Sequence, residues 1–391
     1  MSDTSKIEWT DATWNPVRGC SIVSKGCTNC YAMKQAHRFA GAGQAYEGLT
    51  QMSRGGPVWT GKVRLVPELL DQPLRRKTPR LIFVNSMSDL FHEDVPDEFI
   101  DQIFAVMGSC PWHTFQILTK RPDRMREWFN EKWQIPPEWS QRQLHQELQA
   151  RARALGITKM LPEFTPQTKG EDRFDQVYAA YDWMSLTSKA FNGDRFWTTE
   201  GRSHLLANPW PLQNVWLGVS VEDQAAADER IPLLLQTPAA VRWISAEPLL
   251  GPIDMRDAQN DIGEPRFSYL TKIDGTGPQI DWVVVGGESG PGARGCRVAD
   301  VRSIVRQCRI AGVPVFVKQL GAYVVDRNDA GFDGCEPDSW PNMDPMDIEY
   351  NIHGFKEEYQ GADVRVRLGN RKGGAMCEWP EDLRVREYPA Q

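Results

Sequence analysis

The stretch Leu81-Ile-Phe-Val-Asn85, followed by Asp97-Glu-Phe-Ile-Asp-Gln-Ile-Phe-Ala-Val-Met107, decides the reading of the fold. The first piece is a short apolar run, and the second carries its apolar residues at helical spacing, so the pair predicts one strand and one helix. The same order recurs: Thr114–Thr119 precedes a predicted helix from Arg121 to Phe129, and Val215–Ser220 precedes one from Gln224 to Gln236. Val241–Ser245, Trp282–Gly286 and Val315–Lys318 supply further strands, the last two joined by a predicted helix over Val298–Ala311. Six strands largely alternating with helices predict an α/β fold of parallel βα units wound into a partial or complete (β/α) barrel.

Polar residues gather just after these strands, as Asn85-Ser-Met-Ser-Asp89, Thr119-Lys-Arg121, Ser220-Val-Glu222, Ser245-Ala-Glu247 and Gly286-Gly-Glu-Ser289. The C-terminal ends of strands are where barrels carry their active sites, although any one such segment also reads as a helix cap.

Working outward, residues 1–60 are rich in Gly, Trp and Ser and read as a loop-dominated segment ending in a short helix from Tyr31 to about Phe39. The predicted barrel core spans residues 61–325. From about 130 to 211 the alternation breaks, with Trp133, Trp139, Trp183, Trp197 and Trp210 among Arg and Lys, which predicts an inserted subdomain. Residues 326–391 also lack the rhythm and read as a C-terminal appendage.

The chain has 391 residues, 41% hydrophobic and 25% charged, enough to bury a core without disulfides or metals. A net charge of −7 argues against nonspecific coating of nucleic acid, while leaving room for a local basic groove. No run approaches the roughly 20 apolar residues of a membrane span, and the N-terminus lacks the apolar core of a signal peptide, so a cytoplasmic location is expected.

Eight cysteines are too sparse for a disulfide scaffold, but Cys20, Cys27 and Cys30 stand together in Gly19-Cys-Ser-Ile-Val-Ser-Lys-Gly-Cys-Thr-Asn-Cys-Tyr31. Gly19 and Gly26 allow the tight turns that let the thiols approach one centre. Two metals suit the group. Zinc needs a fourth ligand, for which His37 is the nearby residue, and this alternative describes a zinc-stabilised α/β protein serving as a nucleic-acid-binding accessory factor. A [4Fe-4S] cluster on three cysteines leaves one iron open, able to take the amino and carboxylate groups of S-adenosylmethionine. The bland reading is three inert thiols. Cys110, Cys296, Cys308, Cys335 and Cys377 have no such spacing and read as ordinary packing or surface residues.

Trp9-Thr-Asp-Ala-Thr-Trp-Asn-Pro16, Gly19-Cys20 and Gly26-Cys-Thr-Asn-Cys-Tyr-Ala32 together resemble the phage-borne three-cysteine-motif family allied to the radical S-adenosylmethionine superfamily. Asn85–Phe91, Leu118–Pro122, Gly218–Glu222, Ser245–Leu249 and Trp282–Gly290 look like further blocks of that family, and the likeness covers most of residues 7–325. The chain departs from the superfamily's spacing, with six residues between its first two cysteines and Asn29 where an aromatic usually precedes the third.

The resemblance implies a radical-SAM-like barrel and a [4Fe-4S] cluster on Cys20, Cys27 and Cys30; on that reading Tyr31 and the strand-end residues Ser86, Asp89, Ser220 and Glu222 are expected to receive S-adenosylmethionine, the alternatives being packing for Tyr31 and helix caps for the others. Lys120, Arg121, Glu247, Glu288 and Lys318 are the expected substrate contacts. It further implies a modified DNA base or nucleotide as substrate, a reductant such as a flavodoxin or ferredoxin, and isomerisation of an amino-acid adduct on the thymidine 5-substituent that helps a phage evade restriction.

Overall fold

The computed structural model describes residues 5–130, 210–255, 258–259, 265–271, 278–327, 348–349 and 363–390. Nearly all of the predicted insertion, and the 328–347 part of the appendage with Cys335, lie outside them.

Seven parallel strands form one sheet: β1 (Ala12–Trp14), β2 (Leu81–Val84), β3 (Thr114–Thr119), β4 (Val215–Ser220), β5 (Val241–Ala246), β6 (Trp282–Gly286) and β7 (Val315–Gln319). Their order in space is their order in the chain. Because each right-handed crossover then steps the same way, the helices collect on one face and the sheet curls with the other face inward, as a half-barrel. The partial parallel barrel expected from the sequence is the architecture found.

The helices are α1 (Tyr31–His37), α2 (Asp97–Gly108), α3 (Pro122–Asn130), α4 (Gln224–Leu235) and α5 (Val298–Ala311). On the convex side α2 buries Phe99, Ile100, Ile103 and Phe104, and Trp128 of α3 packs on Phe104 with ring centroids 4.4 Å apart. Asp223 caps α4 by accepting from the Ala226 N–H at 3.0 Å, which starts the helix directly after the β4 loop. Among the described residues no helix is long and apolar enough to cross a membrane.

Along each strand every second side chain meets the concave face. There the rows run from aromatic to polar: Trp216, Gly218, Ser220 on β4, and Trp243, Ser245, Glu247 on and after β5. Trp9, Phe83, Trp216, Trp243, Trp282 and Phe316 close the floor of the half-barrel as one buried cluster. Its rings meet edge-on or tilted, Trp9 on Phe83 at 4.8 Å and on Trp243 at 5.2 Å, the geometry aromatic quadrupoles favour. Gly218 is required here, since a Cβ on it would lie 2.4 Å from the Trp243 indole.

Two features depart from the sequence reading. The N-terminal segment is not loop alone: Ala12–Trp14 pairs with β2 as the seventh strand, and Thr50–Ser53 forms an antiparallel hairpin with Gly56–Trp59. Together with α1 this hairpin builds a satellite core of Met33, Tyr46, Leu49 and Trp59, against which Cys20 and Cys30 pack. The end of the C-terminal appendage is likewise part of the sheet's architecture. The Val317 N–H donates to Val385 O at 2.9 Å and the Glu387 N–H to Val315 O at 3.0 Å, so the tail runs antiparallel along the open edge of β7. Covering a bare strand edge removes a template for unwanted pairing. Tyr388 then stacks on Trp282 at 5.5 Å and seals the floor.

Candidate functional site

The cysteine loop lies across the mouth of the half-barrel, held by residues from the ends of several strands. Cys20, Cys27 and Cys30 are free, half-buried thiols, and Cys30 forms the N-terminal boundary of α1. Loss of solvent pushes the Cys20 thiol up to about 12, with Asp89 and Cys30 adding to the rise and Arg121 opposing it. Burial likewise raises the Cys30 thiol, to which Cys27 adds and which Lys120 opposes. Cys30 thus stands within electrostatic reach of both Cys20 and Cys27, with Arg121 beside Cys20 and Lys120 beside Cys30.

That donor set fits a centre that takes three thiolates, because coordination supplies the charge that deprotonates a thiol against such burial. Among the described residues no three His, Cys, Asp or Glu side chains are gathered closely enough to hold a single metal ion. A cluster does not need that convergence, since each thiolate meets a different iron. His37, the fourth ligand of the zinc alternative, bonds Thr50 Oγ1 through Nδ1 at 3.1 Å.

On the Cys20 side the support is Asp89 and Arg121. Asp89 accepts from the Phe91 N–H at 3.0 Å, the Thr119 hydroxyl at 2.7 Å and the Lys120 N–H at 3.2 Å, and pairs with Arg121 at 3.0 Å. Arg121 spreads its fork over Asp89, Glu93 at 3.2 Å, Ser21 Oγ at 2.6 Å and Cys20 Sγ at 3.9 Å.

On the Cys27 and Cys30 side two carboxylates hold the loop. Glu222 accepts from the Gly26 N–H at 3.3 Å and pairs with Arg230 at 2.9 Å, both side chains being buried. Gly26 allows this approach, because a Cβ there would stand 3.1 Å from the Glu222 carboxyl carbon. Glu288 accepts from Asn29 Nδ2 at 2.9 Å and from Arg294 at 2.6 Å, while Arg294 also donates to Lys25 O at 2.7 Å. Burial pushes both carboxyls up, but cations and hydrogen bonds outweigh it: Lys120, Ser24 and Arg230 hold Glu222, and Arg294 and Asn29 hold Glu288, below the usual carboxylate range.

The remaining predicted residues line the mouth between these supports. The Tyr31 hydroxyl donates to Ser86 O at 2.8 Å, leaving its ring half exposed. Ser86 donates to Asn15 Oδ1 at 3.2 Å. Lys120 Nζ donates to Ser220 Oγ at 2.5 Å, and Ser220 Oγ also meets Glu247 O at 3.3 Å. Lys318 pairs with Glu247 at 2.6 Å, and Gln319 donates to the same carboxyl oxygen at 3.0 Å.

The sequence-predicted residues thus come together, with a division of labour the sequence does not express. Asp89, Glu222, Glu288 and Arg121 are occupied in holding the cysteine loop, whereas Lys120, Ser220, Glu247 and Lys318 are joined to one another in the mouth and Tyr31 is tied to the Ser86 carbonyl. Arg230 and Arg294, which complete the supports, carry no motif in the sequence; only the folded chain brings Arg294 to Lys25. Beside the loop a cavity of about 620 Å³ opens between the starts of α3 and α4, lined by Ser24, Lys25, Glu93, Lys120, Arg121 and Arg124 among others. Cys110, Cys296 and Cys308 are buried and Cys377 is exposed, away from this loop's bonds.

No curated protein and no solved structure matches the chain. A family model does match, over residues 4–375, and with nearly the whole chain covered the protein belongs to that family, described as "Protein of unknown function (DUF5131)".

Proposed function

We propose that the chain is a radical S-adenosylmethionine enzyme in which Cys20, Cys27 and Cys30 hold a [4Fe-4S] cluster at the mouth of the half-barrel. The observation that carries this reading is the set of three free thiols in one loop, which Asp89 with Arg121, Glu222 and Glu288 hold at the C-terminal ends of the parallel strands. When bound, the cluster and S-adenosylmethionine supply a carbon radical able to take hydrogen from an unactivated C–H bond.

The chain's own residues bind and orient. Glu222 and Glu288 fix the cysteine loop from two directions, and Arg121 with Asp89 fixes its first residue. Tyr31 offers a half-exposed ring for a nucleobase, and Ser86 and Ser220 reach a carboxylate by turning their hydroxyls away from Asn15 Oδ1 and Glu247 O, the acceptors they now serve. The Lys318–Glu247 pair, with Lys120 beyond Ser220, presents both signs of charge to the mouth. Such a pair complements the ammonium and carboxylate of an amino acid, which suits the substrate class implied by the resemblance, a thymine base in phage DNA whose 5-substituent bears an amino-acid adduct to be isomerised. The aromatic floor below supplies a buried apolar wall beneath the mouth.

The test is anaerobic reconstitution with iron and sulfide, followed by dithionite and S-adenosylmethionine, with 5′-deoxyadenosine as the readout. The wild-type chain is expected to form it and Cys27→Ala is not. A chain that instead binds one zinc and forms none overturns the reading in favour of the zinc-stabilised accessory protein.

A further inference from the structure

Among the described residues, Arg121 is placed unlike any other cation near the cysteines. Its side chain is 9% exposed, and it is the guanidinium that donates to a cysteine sulfur, Nη1 reaching Cys20 Sγ at 3.9 Å. The same fork meets Asp89, itself 7% exposed, and Glu93, which is 66% exposed. The three side chains together carry one net negative charge, so how much of the Arg121 charge reaches Cys20 depends on both acids. An N–H bond to a ligating sulfur, and positive charge close to it, favour the state of a metal centre that holds one more electron.

We infer that Arg121 is a positioning residue that sets how readily a metal centre on Cys20 accepts an electron, with Asp89 and Glu93 as the counterweights that moderate it. This rests on the cluster reading above. Arg121 thereby serves the reductive step and not the substrate contact expected from its place in the sequence, since its donors are taken up by Asp89, Glu93, Ser21 and Cys20. Glu93 is the informative counterweight because it touches Arg121 from solvent and makes no bond to the cysteine loop's backbone.

The experiment is a redox titration of the reconstituted full chain, followed by the electron paramagnetic resonance signal of the reduced centre, with iron content measured in parallel. Arg121→Met is expected to lower the reduced-to-oxidised ratio at a fixed poise about tenfold, about 59 mV for one electron. Arg121→Lys is expected to fall between Arg121→Met and wild type. Glu93→Gln is expected to shift the ratio the opposite way by a smaller factor, and less at high salt. Opposite signs support the inference, because a residue that merely shapes the loop would change iron content without ordering the potentials by charge. If Arg121→Met retains no iron, Glu93→Gln decides alone, an upward shift supporting the inference and none overturning it. A loaded chain whose potential ignores both substitutions overturns this inference only; a wild-type chain that takes up no iron and sulfide overturns the cluster reading as well.

Discussion

The floor and the mouth of the half-barrel are two ends of one concave surface, yet they are built on opposite principles. At the floor, Trp9, Phe83, Trp216, Trp243, Trp282 and Phe316 interlock with almost no water contact. At the mouth, Asp89, Ser220, Glu222 and Glu288 are just as buried but polar, and each is satisfied by a cation, an amide or a hydroxyl. The change happens within four residues of a strand, from Trp216 to Ser220 and from Trp243 to Glu247. Alternation of side chains thus confines the charge to the end where the loops can supply partners, and leaves the other end to carry stability.

The floor should show the largest effect when broken. Trp243→Ala is expected to cost ~4 kcal/mol of unfolding free energy in urea titrations, in the range for emptying a buried tryptophan site. Alkylation of Cys27 under native conditions should stay at the wild-type rate. If the thiol becomes reactive in step with the lost stability, floor and mouth are one cooperative unit and the contrast fails. Glu222→Ala attacks the other end: it leaves Arg230 charged and buried without its partner, for a loss of about 3 kcal/mol. Here Cys27 alkylation should accelerate beyond what global unfolding explains, because the Gly26 N–H loses its acceptor too. An unchanged alkylation rate would mean that Glu222 serves the fold and not the loop.

The strands that carry both ends were readable in the sequence; the aromatic floor and the supports of the mouth were not. Apolar runs at strand spacing, each followed by a helical pattern, marked β2 through β7 within a residue or so, and the polar residues after them marked the mouth. Ala12–Trp14 escaped because three residues with a central Thr carry too little pattern to distinguish a strand from a loop. The tail's pairing with β7 escaped because a lone run such as Val385-Arg-Glu-Tyr388 takes its meaning from a bare edge formed some 70 residues earlier. Residue type alone made Glu222 and Glu288 look like ligand contacts. Their occupation by Gly26, Arg230, Asn29 and Arg294 depends on long-range geometry, which no local spacing encodes.

The smallest expected effect isolates the Glu288 support by pH. Although burial pushes its carboxyl up, the bonds from Arg294 and Asn29 leave it below the usual value of 4.5 in the folded chain. A carboxyl depressed by folding contributes stability that is fully present above its unfolded pKa and is lost as pH falls through its folded one. Glu288→Gln removes that titration while keeping the side chain's size. The stability difference between wild type and Glu288→Gln should therefore be flat from pH 7 down to about 5 and shrink steadily below about 4.5. Glu222 titrates with the same sign in both proteins and cancels from the difference, so a gap that stays constant through the acid range would show that Glu288 holds Asn29 and Arg294 by shape and not by charge.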